Sequence, residues 1–244
     1  MRLLVDAGNS RLKWRLEHDG EVVEQGVGRL DDDLPISILA HKINGIDSVA
    51  VSTVASEPKR VALQAFLQNQ TGAPVTFYWA EPSRCGLANA YLDVSRMGAD
   101  RWHAMYGAWA TCRRGFAVVD AGSAVTVDYV DSSGRHLGGF ILPGLQMMLR
   151  SLKTDAARIG FDPSQNLATE PGRSTGECVN HGLAWLSAAM VERIHRDVQT
   201  HALADIVATG GDAGRLLGLG LRGQSRPSLV LDGLGLIDAE ERGA

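Results

Sequence analysis

Lysine is scarce in this 244-residue chain: of 24 cationic residues only Lys13, Lys42, Lys59 and Lys153 are lysine. No Gly-Lys dipeptide occurs, which excludes a phosphate loop of the P-loop type. There are three cysteines, Cys85, Cys112 and Cys178, widely spaced and without a CxxC or Cys/His cluster. That pattern excludes a zinc site and a disulfide framework, and it reads as three small buried apolar residues. Positive charge is not in excess either. The formal net charge is -4, which argues against a general nucleic-acid coat. No apolar run approaches the ~18 residues that span a membrane, and Asp6 interrupts the first one too early for a signal peptide. The expectation is a cytoplasmic protein that binds neither nucleic acid nor membrane. His103, His181 and His195 share no metal-binding spacing, and the histidines read as non-catalytic.

What is plentiful is glycine, 28 residues, pointing to tight turns and close backbone approaches. With 45% apolar and 21% charged residues the chain is an ordinary globular one. Its length suits one large domain or two of about half the size. An apolar run at 2–5 ends at Asp6-Ala7-Gly8-Asn9-Ser10, and 12–17 and 21–27 read as strands after it. A strand over 47–53 precedes a helix announced by Ser56, Pro58 and Gly72, and 75–79 reads as a strand. A helix over 98–113 places Trp102, Met105, Tyr106 and Trp109 on one face, which suits either core or a subunit contact.

The pattern then restarts. Ala-Val-Val-Asp-Ala-Gly at 117–122 repeats Leu-Leu-Val-Asp-Ala-Gly at 3–8, each followed by a second strand. The repeat predicts two related α/β domains, residues 1–114 and 115–244. Strands are expected at 124–130, 135–142, 205–209 and 228–232, and helices at 144–154 and 176–201. Residues 218–223 fit GxGxxG but follow a helix-like stretch, so they do not predict a dinucleotide site.

A carboxylate at the end of a buried strand, followed by glycine, makes a hairpin whose N–H groups can converge on an anion. Asn9 and Ser10 add neutral donors and Lys13 an ammonium, while Asp6 and Asp120 can hold the cations that phosphate requires. From spacing alone Asp100, at the start of a helix, reads as an ordinary first-turn acid favoured by the helix dipole. Arg101 offers a planar fork. Ser174-Thr175-Gly176-Glu177 spells a capping box.

The paired hairpins resemble the acetate and sugar kinase, Hsp70 and actin superfamily. The particular strings resemble type III pantothenate kinase, some members of which were first described as Bvg accessory factors. That family opens with DxGNTxxK, matched by Asp6, Ala7, Gly8, Asn9, Ser10, Arg11, Leu12 and Lys13, with Ser10 in place of threonine. A tyrosine followed by GxDR is matched by Tyr91 and Gly98, Ala99, Asp100, Arg101. DxGTAxTxD is matched at 120–128 with Ser123 for threonine, GGxIxPG at 138–144, and Thr209-Gly210-Gly211 also fits. The resemblance implies two duplicated ribonuclease-H-like domains with the active site in the cleft between them. It implies phosphorylation of pantothenate to 4'-phosphopantothenate by ATP, the first step of coenzyme A synthesis, with Asp100 as base. It assigns the 6–13 hairpin and Ser123 to ATP, and Asp6 to Mg2+ through water. It assigns Asp120 to a monovalent cation, K+ or NH4+, and Tyr91, Gly98, Ala99, Asp100, Arg101 and Thr175 to pantothenate. It also implies a homodimer, for which the Trp102–Trp109 face is the candidate contact. Two other readings stay open: another kinase or phosphatase of the same fold, and a transcription accessory factor. Net charge and the lack of a DNA-reading motif disfavour the second.

Overall fold

The computed structural model describes residues 1–8, 11–28, 45–155, 160–163 and 167–243. In chain order the elements are β1 (Arg2–Ala7), β2 (Leu12–His18), β3 (Glu21–Gly28), β4 (Ser48–Thr53), α1 (Glu57–Thr71) and β5 (Val75–Phe77). Two short strands, β6 (Ser83–Arg84) and β7 (Leu87–Ala88), precede α2 (Ala99–Thr111). Then come β8 (Phe116–Ala121), β9 (Ala124–Val130), β10 (His136–Pro143), α3 (Leu145–Asp155) and α4 (Thr175–Thr200). The chain ends with β11 (Asp205–Thr209), α5 (Ala213–Gly218), β12 (Gln224–Ser225) and α6 (Leu229–Arg242).

The repeat seen in the sequence is a repeat of topology. One sheet has the order β3-β2-β1-β4-β5 and the other β10-β9-β8-β11-β12. In each, two hairpins give three antiparallel strands, and the first strand also pairs in parallel with the fourth. The chain forms two compact units: Met1–Cys85 with Tyr91–Thr111 and Ser228–Ala244, and Gly86–Ala90 with Cys112–Pro227. The C-terminal segment thus packs with the first half of the chain rather than the second.

In the first unit β1 is buried on both faces. Leu3, Val5 and Ala7 pack with Leu63 and Leu67 of α1, while Leu4 packs with Ala50, Leu231 and Leu234. Each such leucine contributes roughly 1.5–3 kcal/mol by leaving water. Helix α1 has its expected punctuation, with Pro58 in the first turn and Gly72 left-handed at φ 66°.

Residues 228–232, read from sequence as a strand, instead open helix α6. A short apolar run cannot distinguish the two, and Gly233 and Gly235 lower helix propensity. Tertiary contact decides. A Cβ on Gly107 of α2 would lie 2.8 Å from the Leu229 carbonyl, and one on Gly233 would fall on the carbonyl of His103. The paired glycines let the two backbones approach. A buried charge network then ties α6 to the sheet: Arg15 meets Asp232 at 2.6 Å, and Arg2 meets Glu17 at 2.8 Å and Asp238 at 3.2 Å. Tyr78 donates to Asp238 at 3.0 Å, and burial pushes its phenol up to about 12.

The α2 stripe is core, not a subunit contact. Trp102, Met105, Tyr106 and Trp109 are at most 5% exposed. Helix α2 packs on both β4 and α6, so both of its sides are covered within one unit. The Trp109 indole donates to the Cys85 carbonyl at 3.1 Å, and the Tyr106 hydroxyl donates to Glu240. The cysteines differ from expectation too: Cys85 and Cys178 are exposed and Cys112 is half-buried, and none of the three is in a disulfide. Cys85 sits in the left-handed region at φ 46°.

Candidate active site

Asp6 is the penultimate residue of β1 and half-buried. In register it lies opposite Lys13 of β2 and Ser52 of β4, so the three side chains share one face of the sheet. The Gly8 N–H donates to the Arg11 carbonyl at 3.0 Å and closes the turn. The Thr53 hydroxyl donates to the Ala7 carbonyl at 3.0 Å and pins the strand's end. Ala7 and Leu12 are buried, Arg11 is exposed and Lys13 half-buried. Asn9 and Ser10 lie outside the described residues.

The second hairpin repeats this in the second unit. Asp120, penultimate in β8, lies opposite Thr126 and Thr209. The Gly122 N–H donates to the Ala124 carbonyl at 2.9 Å, and Gly122 and Ser123 are exposed. Two glycines are required by close approach. A Cβ on Gly144 would lie 2.5 Å from the carbonyls of Gly122 and Ser123, and one on Gly210, at φ 90°, would strike the Ala121 carbonyl and Asp120 Oδ1. Thr209 is 1% exposed, and its hydroxyl has no hydrogen-bond partner among the described residues.

The structure brings Tyr91, Asp100 and Arg101 together. Asp100 stands in the first turn of α2, where its Oδ1 accepts from the Arg101 N–H at 2.8 Å. A Cβ on Gly98 would lie 2.6 Å from that same oxygen. Arg101 is 6% exposed; its Nη1 donates to the Tyr91 hydroxyl at 2.6 Å, and its guanidinium lies 5.5 Å from the Tyr91 ring centre. A 3-10 turn over Val94–Arg96, capped by Asp93, returns the chain between them. Ala99 is buried. In the second unit Thr175 is exposed at the first position of α4, directly after Ser174, whose hydroxyl accepts from the Glu177 N–H at 3.2 Å.

The profile of the type III pantothenate kinase family matches residues 2–197. The chain belongs to the type III pantothenate kinase family. It is 59% identical over 234 residues to a type III pantothenate kinase of Marinobacter nauticus, covering 96% of each chain. Among solved structures it resembles a protein described as a conserved Baf family transcriptional activator from Campylobacter jejuni (TM-score 0.62, 21% identity, 99% and 100% of the chains covered). It also resembles the activator of 2-hydroxyisocaproyl-CoA dehydratase from Clostridium difficile (TM-score 0.54, 13% identity, 99% and 96% covered). Those two likenesses show the fold alone, a pair of α/β domains of the ribonuclease-H-like kind.

As a type III pantothenate kinase the chain is an enzyme of coenzyme A synthesis that phosphorylates pantothenate with ATP. The family implies a divalent metal. Among the described residues no group of three acidic, His or Cys side chains could hold one alone. A carboxylate at a phosphate hairpin fits an ion that keeps several waters and takes its other oxygens from phosphate, as Mg2+ does. No described helix is long and apolar enough to cross a membrane. Sequence reasoning missed Ser52, and it named Thr209 within a motif without its pairing to Asp120. Aligning the ends of β4 and β11 as the hairpins were aligned would have found them.

Proposed function

We propose that Asp100 is the general base of this kinase and that Tyr91, Gly98, Ala99, Arg101 and Thr175 bind pantothenate. The observation that carries the reading is the Tyr91–Arg101–Asp100 cluster. It sets an acceptor for the hydroxyl proton beside a buried guanidinium suited to a carboxylate or amide oxygen. In the reaction the pantothenate hydroxyl oxygen attacks the γ-phosphorus in line and the bond to the bridging oxygen breaks. ADP leaves, and the hydroxyl proton passes to Asp100. The Asp6–Lys13 hairpin and Ser123 hold ATP, with Asp6 on Mg2+ through water. The ion supplies charge neutralisation at the phosphates. Release of ADP with pantothenate as sole acceptor tests the reading; turnover of sugars or acetate in its place would favour another kinase of the fold.

A monovalent cation at Asp120 is supported by the buried Thr209 hydroxyl, without a hydrogen-bond partner among the described residues and in register with that carboxylate, a pair of oxygens suited to potassium or ammonium. Without a cation, Asp120 would repel bound phosphate. Like charges at ~4 Å cost roughly 4 kcal/mol at an effective dielectric of ~20, and a third of that is about tenfold in rate. Replacing potassium with tetramethylammonium is expected to lower turnover by about that factor or more. Equal rates in the two salts would remove the cation from Asp120.

We also infer a homodimer, through a face other than α2. Phe140, Ile141 and Leu142 of β10 and Trp185 and Leu186 of α4 are exposed. Phe140, Leu142 and Leu186 line one cavity of about 360 Å³ in the second unit. An apolar patch of this kind suits a second copy of the chain. Leu186→Glu is expected to weaken association by about 2 kcal/mol or more, roughly 30-fold. Sedimentation at low micromolar concentration should then give folded monomer; an unchanged dimer would reject this face.

A further inference from the structure

The base-bearing helix is held at a second point whose chemistry the fold alone does not demand. His103 stands three residues after Asp100, one helical turn on and on the same side of α2. It is fully buried, and its Nδ1 shares a hydrogen bond of 2.8 Å with the hydroxyl of Ser52, also fully buried. Ser52 is the register partner of Asp6, and its neighbour Thr53 is bonded to the carbonyl of Ala7. A continuous set of contacts therefore runs from the strand that carries Asp6, through Ser52 and His103, to the helix turn that carries Asp100.

This arrangement has a cost. Nε2 of His103 is buried with no hydrogen-bond partner among the described residues, where an apolar side chain of similar size would leave no orphaned group. Burial, with Arg84 nearby, pushes the imidazole down to about 3, so the ring is neutral and the bond to Ser52 is one between uncharged groups. The second sheet provides an internal comparison. There Thr209 takes the position of Ser52 opposite the hairpin aspartate, and its hydroxyl has no such partner. In the second unit that hydroxyl is the one assigned above to the cation beside Asp120, whereas in the first unit the hydroxyl is taken by a histidine of the helix bearing Asp100. The two restraints on α2 are also complementary. Close packing of Gly233 on the His103 carbonyl holds the helix through its backbone, and the bond to Ser52 holds it through a side chain.

We propose that Ser52 and His103 are a positioning pair for phosphoryl transfer, fixing the Asp100 end of α2 against the strand end that carries Asp6. The inference rests on the reading of Asp100 as base. Neither residue touches the reacting atoms.

The test uses the full chain with Ser52→Ala, His103→Leu and His103→Asn, and Asp100→Asn in parallel. A misplacement of an ångström can cost up to about 100-fold, so Ser52→Ala and His103→Leu should lower kcat about 10- to 100-fold. KM for pantothenate and for ATP should stay within about twofold. His103→Asn, which can restore a polar atom toward Ser52, should recover most of the rate. The double variant should be no worse than either single one, since both remove one bond. Ser52→Ala removes a single oxygen and carries the test if His103→Leu does not fold. Ser52→Ala with wild-type kcat, or a KM that rises as far as kcat falls, would overturn the pair. If Asp100→Asn is inactive while Ser52→Ala is fully active, only the pair fails. An active Asp100→Asn overturns the base itself, whatever Ser52 does, and with it the ground of the inference.

Discussion

Asp100→Asn is expected to fold as the wild type does and to lose roughly 10²–10⁴-fold in turnover, the usual cost of removing a general base. The substitution is nearly isosteric. An amide oxygen can still accept from the Arg101 N–H as Oδ1 does at 2.8 Å, so the start of α2 keeps its local bond. Arg101 keeps its bond to the Tyr91 hydroxyl, so the contacts assigned to pantothenate survive. What the amide cannot do is take up the hydroxyl proton as the new bond to phosphorus forms. The loss should therefore appear in kcat, with KM for pantothenate near wild type. Thermal unfolding measured beside the kinetics separates this from a damaged fold. Turnover within threefold of wild type would show that Asp100 is not the base.

The two hairpins were legible because they are local. An apolar run ending in Asp and Gly is a strand end and a turn within one stretch of chain, and the same stretch occurs twice. The GxDR turn was legible for the same reason. Across-strand relations were not, because Asp6 with Ser52 and Asp120 with Thr209 are neighbours only after parallel pairing over long separations. The α2 face stood open between core and a subunit contact because four large side chains exceed one helix's usual share, and the segment that covers them, 228–232, was read as a strand. Once α6 is a helix, that face is covered inside one unit. The glycines that made α6 look unlike a helix are the residues that let it reach α2.

Among the described glycines, Gly233 is the one whose added Cβ would come nearest to backbone. Gly233→Ala sets two effects of opposite sign against each other. Alanine gains about 1 kcal/mol of helix propensity over glycine. Its Cβ, however, would fall on the carbonyl of His103, with Gly107 N at 3.0 Å, and these are backbone atoms of a packed helix rather than the end of a movable side chain. Relief requires α6 to shift. That shift would loosen Arg15–Asp232, Arg2–Asp238 and Tyr78–Asp238, whose groups are largely buried. Overpacking costs typically 1–3 kcal/mol and sometimes more, and disturbing the network adds to it, so the steric term wins. A net loss of about 2–4 kcal/mol is expected, which for a chain of this size lowers Tm by roughly 5–15 °C. Gly235→Ala is the control. It gains the same propensity, and its Cβ meets Leu4 Cδ1 at 2.9 Å, the far end of a flexible side chain, so its Tm should stay close to wild type. Because His103 is the residue struck, the surviving fraction of Gly233→Ala should also turn over more slowly than its folded population accounts for. A Gly233→Ala variant as stable as Gly235→Ala would show that the backbones of α2 and α6 are not in the contact described.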